Sequence, residues 1–334
     1  MGKDTGISWA DDTFNPWVGC TRVSPGCQNC YAEELDKRFG GDHWGAGKDR
    51  KRTTRANWNK VLRWDDDARK AGTRRRVFCS SMADWLDSAV PAAWLADLLS
   101  LIASTPNLTW MLLTKRPESW RIRVTDALAD MEGCVPHPVG MDLAQAWLDG
   151  DAPANVWVGT TVEDTQRLKR VPHLARIPVH AEYGIRFLSM EPLLEEVDLD
   201  PVLGLQPGNM WQECVCAEID PSDVPCITCE CRTLLANRAG VDWVIVGGES
   251  GPGAREFRAE WARRIIRSCR GSGVPVFFKQ FGDNGSDAEN AIASPRVTVP
   301  SEYGSPVRRL RGHHGADPSE WPESMRIQQV PEVL

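Results

Sequence analysis

The sequence predicts an α/β fold built on a parallel sheet, and three observations carry that expectation. Apolar runs of four to six residues recur about seven times along the 334 residues, and they are continuous rather than alternating. Strands buried on both faces read this way. Most runs are followed by a stretch long enough for a helical crossover, which on a parallel sheet gives a doubly wound sheet or a (βα) barrel. Polar and glycine residues gather just after the runs, at their C-terminal ends, where a barrel places its active site. That clustering favours the barrel.

The units follow in order. Ile7-Ser8-Trp9 opens the chain and leads into a cysteine-bearing loop. Arg76–Ser81 is the second strand, ending in Met82-Ala83-Asp84, with a helix expected from Pro91 to Ile102. Leu108–Leu113 ends in Thr114-Lys115-Arg116-Pro117, and Asn155–Gly159 ends in Thr160-Thr161-Val162-Glu163-Asp164. Arg186–Ser189 ends in Met190-Glu191-Pro192, and Trp243–Val246 in Gly247-Gly248-Glu249-Ser250-Gly251. Val274–Phe278 closes the series before Lys279-Gln280-Phe281-Gly282. Two regions break the rhythm. Residues 201–240, rich in Cys, Pro and Asp, read as an insertion into a barrel domain spanning 1–282. Residues 283–334 read as an irregular C-terminal extension.

Composition bounds the function. Apolar residues make up 42% and charged residues 25%, as in ordinary globular proteins. No run of eighteen apolar residues and no hydrophobic leader occurs, so a cytoplasmic protein without a membrane partner is expected. The net charge is −7, but residues 48–76 hold twelve cations against four aspartates, a local +8 that leaves −15 elsewhere. With Trp58 and Trp64 inside it, that segment reads either as a phosphate-tracking, base-stacking surface or as a solvated helical face. A phosphate loop, a Gly-x-Ser-x-Gly elbow and a Cys-His protease signature are all missing. The six histidines form no metal or catalytic pattern.

Cysteine spacing carries the chemistry. Cys20, Cys27 and Cys30 are spaced C-x6-C-x2-C in a loop before a helix-like run. In a reducing compartment such a trio shares a metal rather than a disulfide. Three thiolates suit an iron–sulfur cluster with one open iron, and a zinc site with a distant fourth ligand is the alternative. A second cluster, Cys214, Cys216, Cys226, Cys229 and Cys231, fits a structural zinc or an auxiliary iron–sulfur site. Gly247-Gly248-Glu249 could approach a carboxylate or phosphate through backbone N–H groups.

The loop Gly19-Cys20…Cys27-Gln28-Asn29-Cys30-Tyr31-Ala32 resembles the cluster loop of radical S-adenosylmethionine (SAM) enzymes. More closely, the chain resembles a phage-borne group of three-Cys-motif proteins related to that superfamily. The likeness spans roughly residues 5–282 through Trp9, Asn15-Pro16, Ser81-Met82-Ala83-Asp84, Leu113–Pro117, Val162-Glu163-Asp164, Ser189–Pro192 and Gly247–Gly251. It implies an open, partial (βα) barrel of six to seven strands, with a [4Fe–4S] cluster on Cys20, Cys27 and Cys30. SAM on the open iron would be cleaved by one electron to a 5′-deoxyadenosyl radical. Tyr31, Ser81, Lys115, Gly247, Gly248 and Glu249 would then surround the cofactor, with Lys115 and Glu191 in catalytic roles. The Thr114-Lys115 pair resembles one in DNA photoproduct lyases, which with the basic segment points to a nucleic acid or nucleotide substrate. A non-catalytic iron–sulfur or zinc protein that binds DNA or a phage or host protein is the alternative. The chain differs from the superfamily in three respects. Its first two cysteines are six residues apart where three is usual, Asn29 replaces an aromatic residue, and Gly-Gly-Glu follows about the sixth strand rather than the second.

Overall fold

The computed structural model describes residues 5–203, 240–295, 297 and 307–332. The cysteines from Cys214 to Cys231, and the zinc or cluster expected on them, lie outside the described residues. Thirteen strands occur among those described. They are β1 (Asp12–Thr13), β2 (Trp17–Val18), β3 (Lys51–Arg52), β4 (Arg75–Cys79), β5 (Leu108–Thr114) and β6 (Val156–Thr161). There follow β7 (Arg186–Met190), β8 (Trp243–Gly247), β9 (Phe257–Arg258), β10 (Val276–Gln280), β11 (Gly285–Asp287), β12 (Ile292–Ala293) and β13 (Arg308–Arg309). The main helices are α1 (Tyr31–Arg38), α2 (Arg55–Ala71), α3 (Ala92–Ala103), α4 (Trp120–Met131), α5 (Val139–Leu148), α6 (Arg170–Ala175) and the helix Ala259–Ser272.

Seven strands form one sheet in the order β1-β4-β5-β6-β7-β8-β10, every neighbouring pair parallel. Strand order never reverses. A doubly wound sheet reverses at its switch point, so this sheet grows in one direction and curls into a half-barrel. The open barrel was therefore the right choice of the two. The first strand is shifted from its expected place: Asp12–Thr13 pairs with β4, while Ile7 and Trp9 pack on the inner face.

The two faces of the sheet differ. Outward side chains such as Val77, Trp110, Leu112, Val158, Leu188 and Val244 join α2–α6 and the helix Ala259–Ser272 in one large core. Inward side chains form a separate cluster without any helix residue: Trp9, Phe78, Met111, Trp157, Phe187, Trp243 and Phe277. Trp9 meets Phe78 edge-on at 4.7 Å, and Trp157 and Phe277 meet Trp243 edge-on at 6.1 and 6.3 Å. Aromatics thus fill the N-terminal half of the concave face. Gly159 is required there, because a Cβ would lie 2.4 Å from the Phe187 ring. Continuing each strand by twos leads to Lys115, Thr161, Glu191, Gly247 and Lys279. The inner face passes from an aromatic floor to a polar mouth.

Where described, the stretch 283–334 is not an irregular extension. β11 and β12 are antiparallel, β9 and β13 flank them, and Leu310, Trp321 and Met325 are buried in the main core. Phe278 donates its N–H to Ile327 O at 2.8 Å. Strands of two or three residues are too short to leave a periodic signature, which is why the sequence read as irregular.

Candidate active site

The cysteine loop, Ser81, Lys115, Glu191 and Gly247 lie at the mouth, whereas a Cβ on Gly248 would point at Phe281 O (2.1 Å) and the Phe257 ring (3.0 Å) on the outer face, and Glu249 turns onto Asn29 and Arg255. Lys115 Nζ donates to Thr161 Oγ1 at 3.2 Å, across from β5 to β6. Lys279 pairs with Glu191 at 2.9 Å. Gly247 lies beneath that carboxylate, since a Cβ there would sit 3.1 Å from Glu191 Oε1. The Tyr31 hydroxyl donates to Ser81 O at 2.9 Å, tying the cysteine loop to the end of β4.

The loop itself is fixed at both ends. Gly19 has φ +112 and a Cβ there would meet His43 O at 2.3 Å, so only glycine fits. Its N–H donates to Met82 O at 3.0 Å. Pro25 starts the short 3-10 turn Pro25–Cys27, and Cys30 caps α1. Cys20, Cys27 and Cys30 are all free and partly buried. Burial pushes the Cys20 thiol up to about 12, with Asp84 adding to the rise and Arg116 opposing it. Burial also raises Cys30. At Cys27 the same burial is outweighed by Lys115 and by hydrogen bonds from Val23 and Ser24, so this thiol ionises below its ordinary value.

Several groups at the mouth escaped the sequence reading. Arg116, at the tip after β5, donates to Asp84 (2.8 Å) and Thr21 O (2.7 Å) and lies 3.5 Å from Cys20 Sγ. Behind it Arg50 pairs with Asp87, both almost fully buried. Asn15 Oδ1 accepts from the N–H groups of Ser81 and Met82 at 2.8 and 2.9 Å, shaping the end of β4. Glu163 is fully buried and paired with Arg170 at 2.8 Å. Its Oε1 makes no well-aligned hydrogen bond and faces Gly26, where a Cβ would approach to 2.9 Å. The Asp84–Arg116 contact had a faint signal, two polar tips on adjacent parallel strands. Arg50–Asp87 and Asn15 with Ser81 and Met82 join residues too far apart in sequence to be paired by inspection, while Glu163–Arg170, seven residues apart, depends on how the chain turns after β6.

Glu249 has its carboxylate fully engaged. Oε2 accepts from Asn29 Nδ2 (3.0 Å) and from the backbone N–H and Nε of Arg255 (2.9 and 3.0 Å), while Oε1 accepts from Arg255 Nη2. Burial alone would raise this carboxyl, but Arg255 and Asn29 hold it below its ordinary range.

The basic segment also departs from expectation. Trp58 and Trp64 are core residues, 9% and 5% exposed, so neither can stack on a base. They line the inner side of α2, at the helical spacing of an apolar stripe. Arg50 faces Asp87, Arg75 faces Asp12 and Arg76 faces Asp11. Lys51, Arg55, Lys60 and Arg63 remain exposed.

Three free thiols flanked by Lys115 and Arg116 suit an iron–sulfur group in donor type, number and supporting charge. Among the described residues no three His, Cys, Asp or Glu side chains form a group that could hold a metal ion. Cys20 Sγ faces Arg116 and Thr21 O, and Cys27 Sγ faces Ser24 Oγ at 3.8 Å.

Fold and site together define a parallel βα half-barrel protein with a cysteine loop over a charged mouth. Within that class the chain belongs to the family described as protein of unknown function (DUF5131), whose model matches residues 4–318. No curated protein and no solved structure matches it. No helix among the described residues is long and apolar enough to cross a membrane.

Proposed function

We propose that this chain is an iron–sulfur enzyme of the radical SAM kind, acting on a nucleic acid or nucleotide. The observation that carries the reading is the position of three free thiols at the C-terminal mouth of a parallel half-barrel, with Lys115 acting on Cys27 and Cys30. Cys20, Cys27 and Cys30 would hold a [4Fe–4S] cluster, and Tyr31, Ser81, Lys115, Glu191 and Gly247 would line the space for SAM. Bound together, cluster and SAM supply one-electron cleavage of a C–S bond. The protein's own residues position and exclude. Lys115 presents positive charge to a carboxylate or phosphate, the Lys279–Glu191 pair offers a donor and an acceptor side by side, and the aromatic floor keeps water from the inner end. The exposed cations Lys51, Arg55, Lys60 and Arg63 favour a polyanionic substrate, since side chains of this kind neutralise phosphates.

Anaerobic reconstitution tests the reading, with iron, sulfide and zinc measured on wild type and Cys27→Ala. Near-equal iron and sulfide in wild type, lost in the variant, is expected, together with SAM binding by calorimetry. Zinc alone, or a loaded protein that binds no SAM, overturns the enzyme reading in favour of a non-catalytic, nucleic-acid-binding metalloprotein.

A further inference from the structure

We infer that Glu249, Arg255 and Asn29 form a clasp that holds the three-cysteine loop in place, so that the Glu of Gly-Gly-Glu acts as a positioning residue. The inference rests on the reading of Cys20, Cys27 and Cys30 as ligands, which gives the loop its importance. The contacts themselves do not depend on it.

The glycine-rich loop after β8 runs from Gly248 to Arg255, and its glycines bring it against the cysteine loop. Asn29, next to Cys30, donates through Nδ2 to both Glu249 Oε2 (3.0 Å) and Gly253 O (2.8 Å). Arg255 grips Glu249 through Nε and Nη2, and its Nη1 donates to Pro25 O at 2.8 Å. One carboxylate and one guanidinium therefore reach the cysteine loop at two points, either side of Cys27. The clasp is anchored from behind. Asp283 donates its N–H to Glu249 O (2.9 Å) and accepts from Gly251 N–H, while His314 bonds Asp283 at 2.8 Å. Glu249 is 7% exposed, so its four accepted bonds are shielded from water and are the strong, charge-assisted kind. Both carboxylate oxygens are thus taken up by Asn29 and Arg255. The recognisable product of the clasp is order in the loop of residues 19–31.

The test begins with metal-free protein and amide hydrogen exchange across residues 19–31, with exchange in β5 and β6 as the internal control for folding. Glu249→Gln leaves the shape but faces an amide N–H₂ to donors, and Asn29→Asp sets a second carboxylate against Glu249. Each single variant is expected to exchange roughly ten-fold or more faster in that loop alone. In the double variant Asn29→Asp/Glu249→Gln, donor and acceptor trade places at the 29–249 contact while the bond to Gly253 O stays lost, so protection returns only in part. Unchanged loop exchange in both single variants, or a double variant no better than either, overturns the clasp. Faster exchange in β5 and β6 as well would overturn it too, as plain loss of fold. Reconstitution then separates the two ideas. If wild type takes up no iron and sulfide the cluster reading fails while the exchange result stands. If wild type and Glu249→Gln release iron to a chelator at the same rate, the clasp has no bearing on the cluster.

Discussion

Asp84→Asn probes how the cysteine loop is wired into the sheet. Asp84 Oδ1 accepts from Thr114 Oγ1 (2.7 Å) and Leu86 N–H (3.0 Å), and Oδ2 accepts from Lys115 N–H (2.9 Å) and Arg116 Nη1 (2.8 Å). Asparagine keeps the volume but turns one acceptor into a donor. Its better orientation leaves oxygen on Lys115 and Arg116 and points the amide N–H₂ at Leu86 N–H, which is then orphaned. An unsatisfied buried group costs about 1–3 kcal/mol. The Arg116 guanidinium, 10% exposed, also loses its nearest counter-charge. Breaking a buried pair costs about 3–5 kcal/mol when nothing replaces it. Here Asp87 at 3.9 Å and Thr21 O at 2.7 Å still hold the guanidinium, which brings the ion-pair loss toward its lower end. Together the lower ends of these two terms give a destabilisation of about 4 kcal/mol. Equilibrium urea unfolding reads it as a lower midpoint at unchanged slope. A loss below about 1 kcal/mol would put the carboxylate in the range of an exposed surface pair and refute the reasoning.

Three more perturbations follow from the same contacts. Glu249 ionises below its ordinary 4.5 when folded, so its stabilisation is complete above that value and disappears as pH falls through the depressed folded value. Melting temperature against pH should therefore show a shallower acid fall in Glu249→Gln than in wild type, and parallel acid limbs would count against it. Lys51→Ala/Arg55→Ala should lower the slope of log K against log salt for duplex DNA by about 2, with no change in melting temperature; an unchanged slope removes these side chains from the interface. Trp321→Ala empties a site 1% exposed, cuts the bond to Gly315 O and strips an edge contact from Phe278. It should cost about 3–5 kcal/mol by denaturant unfolding. A cost near zero would mean the C-terminal segment lies on the core without supporting it.

How much of this was legible depended on how local the signal was. Buried parallel strands announce themselves by continuous apolar runs, so six of the seven were found within a few residues. The seventh, Asp12–Thr13, contains no apolar residue, and only its pairing with β4 makes it a strand. The mouth was legible because Lys115 and Glu191 stand directly after a strand and Gly247 ends one. Trp58 and Trp64 misled because a Trp in a basic helix looks alike whether it faces a base or the core. Which side it faces depends on the sheet behind α2. The duties of Arg50, Asn15 and Asn29 were not legible at all. Each is fixed by a partner brought near only by folding, and Asn29 meets Glu249 across 220 residues.

That last separation sets a schedule. Synthesis at roughly 5–20 residues per second puts the cysteine loop outside the ribosome roughly 10–40 s before the residues that clasp it. Closing a segment of that length costs about 5 kcal/mol in chain entropy, so the meeting waits for the intervening strands to pair and shorten the path. During that interval the three thiols stand unshielded. On the proposed cluster reading, the ordered loop that would hold the group is therefore complete only after the sheet is, and does not guide its assembly.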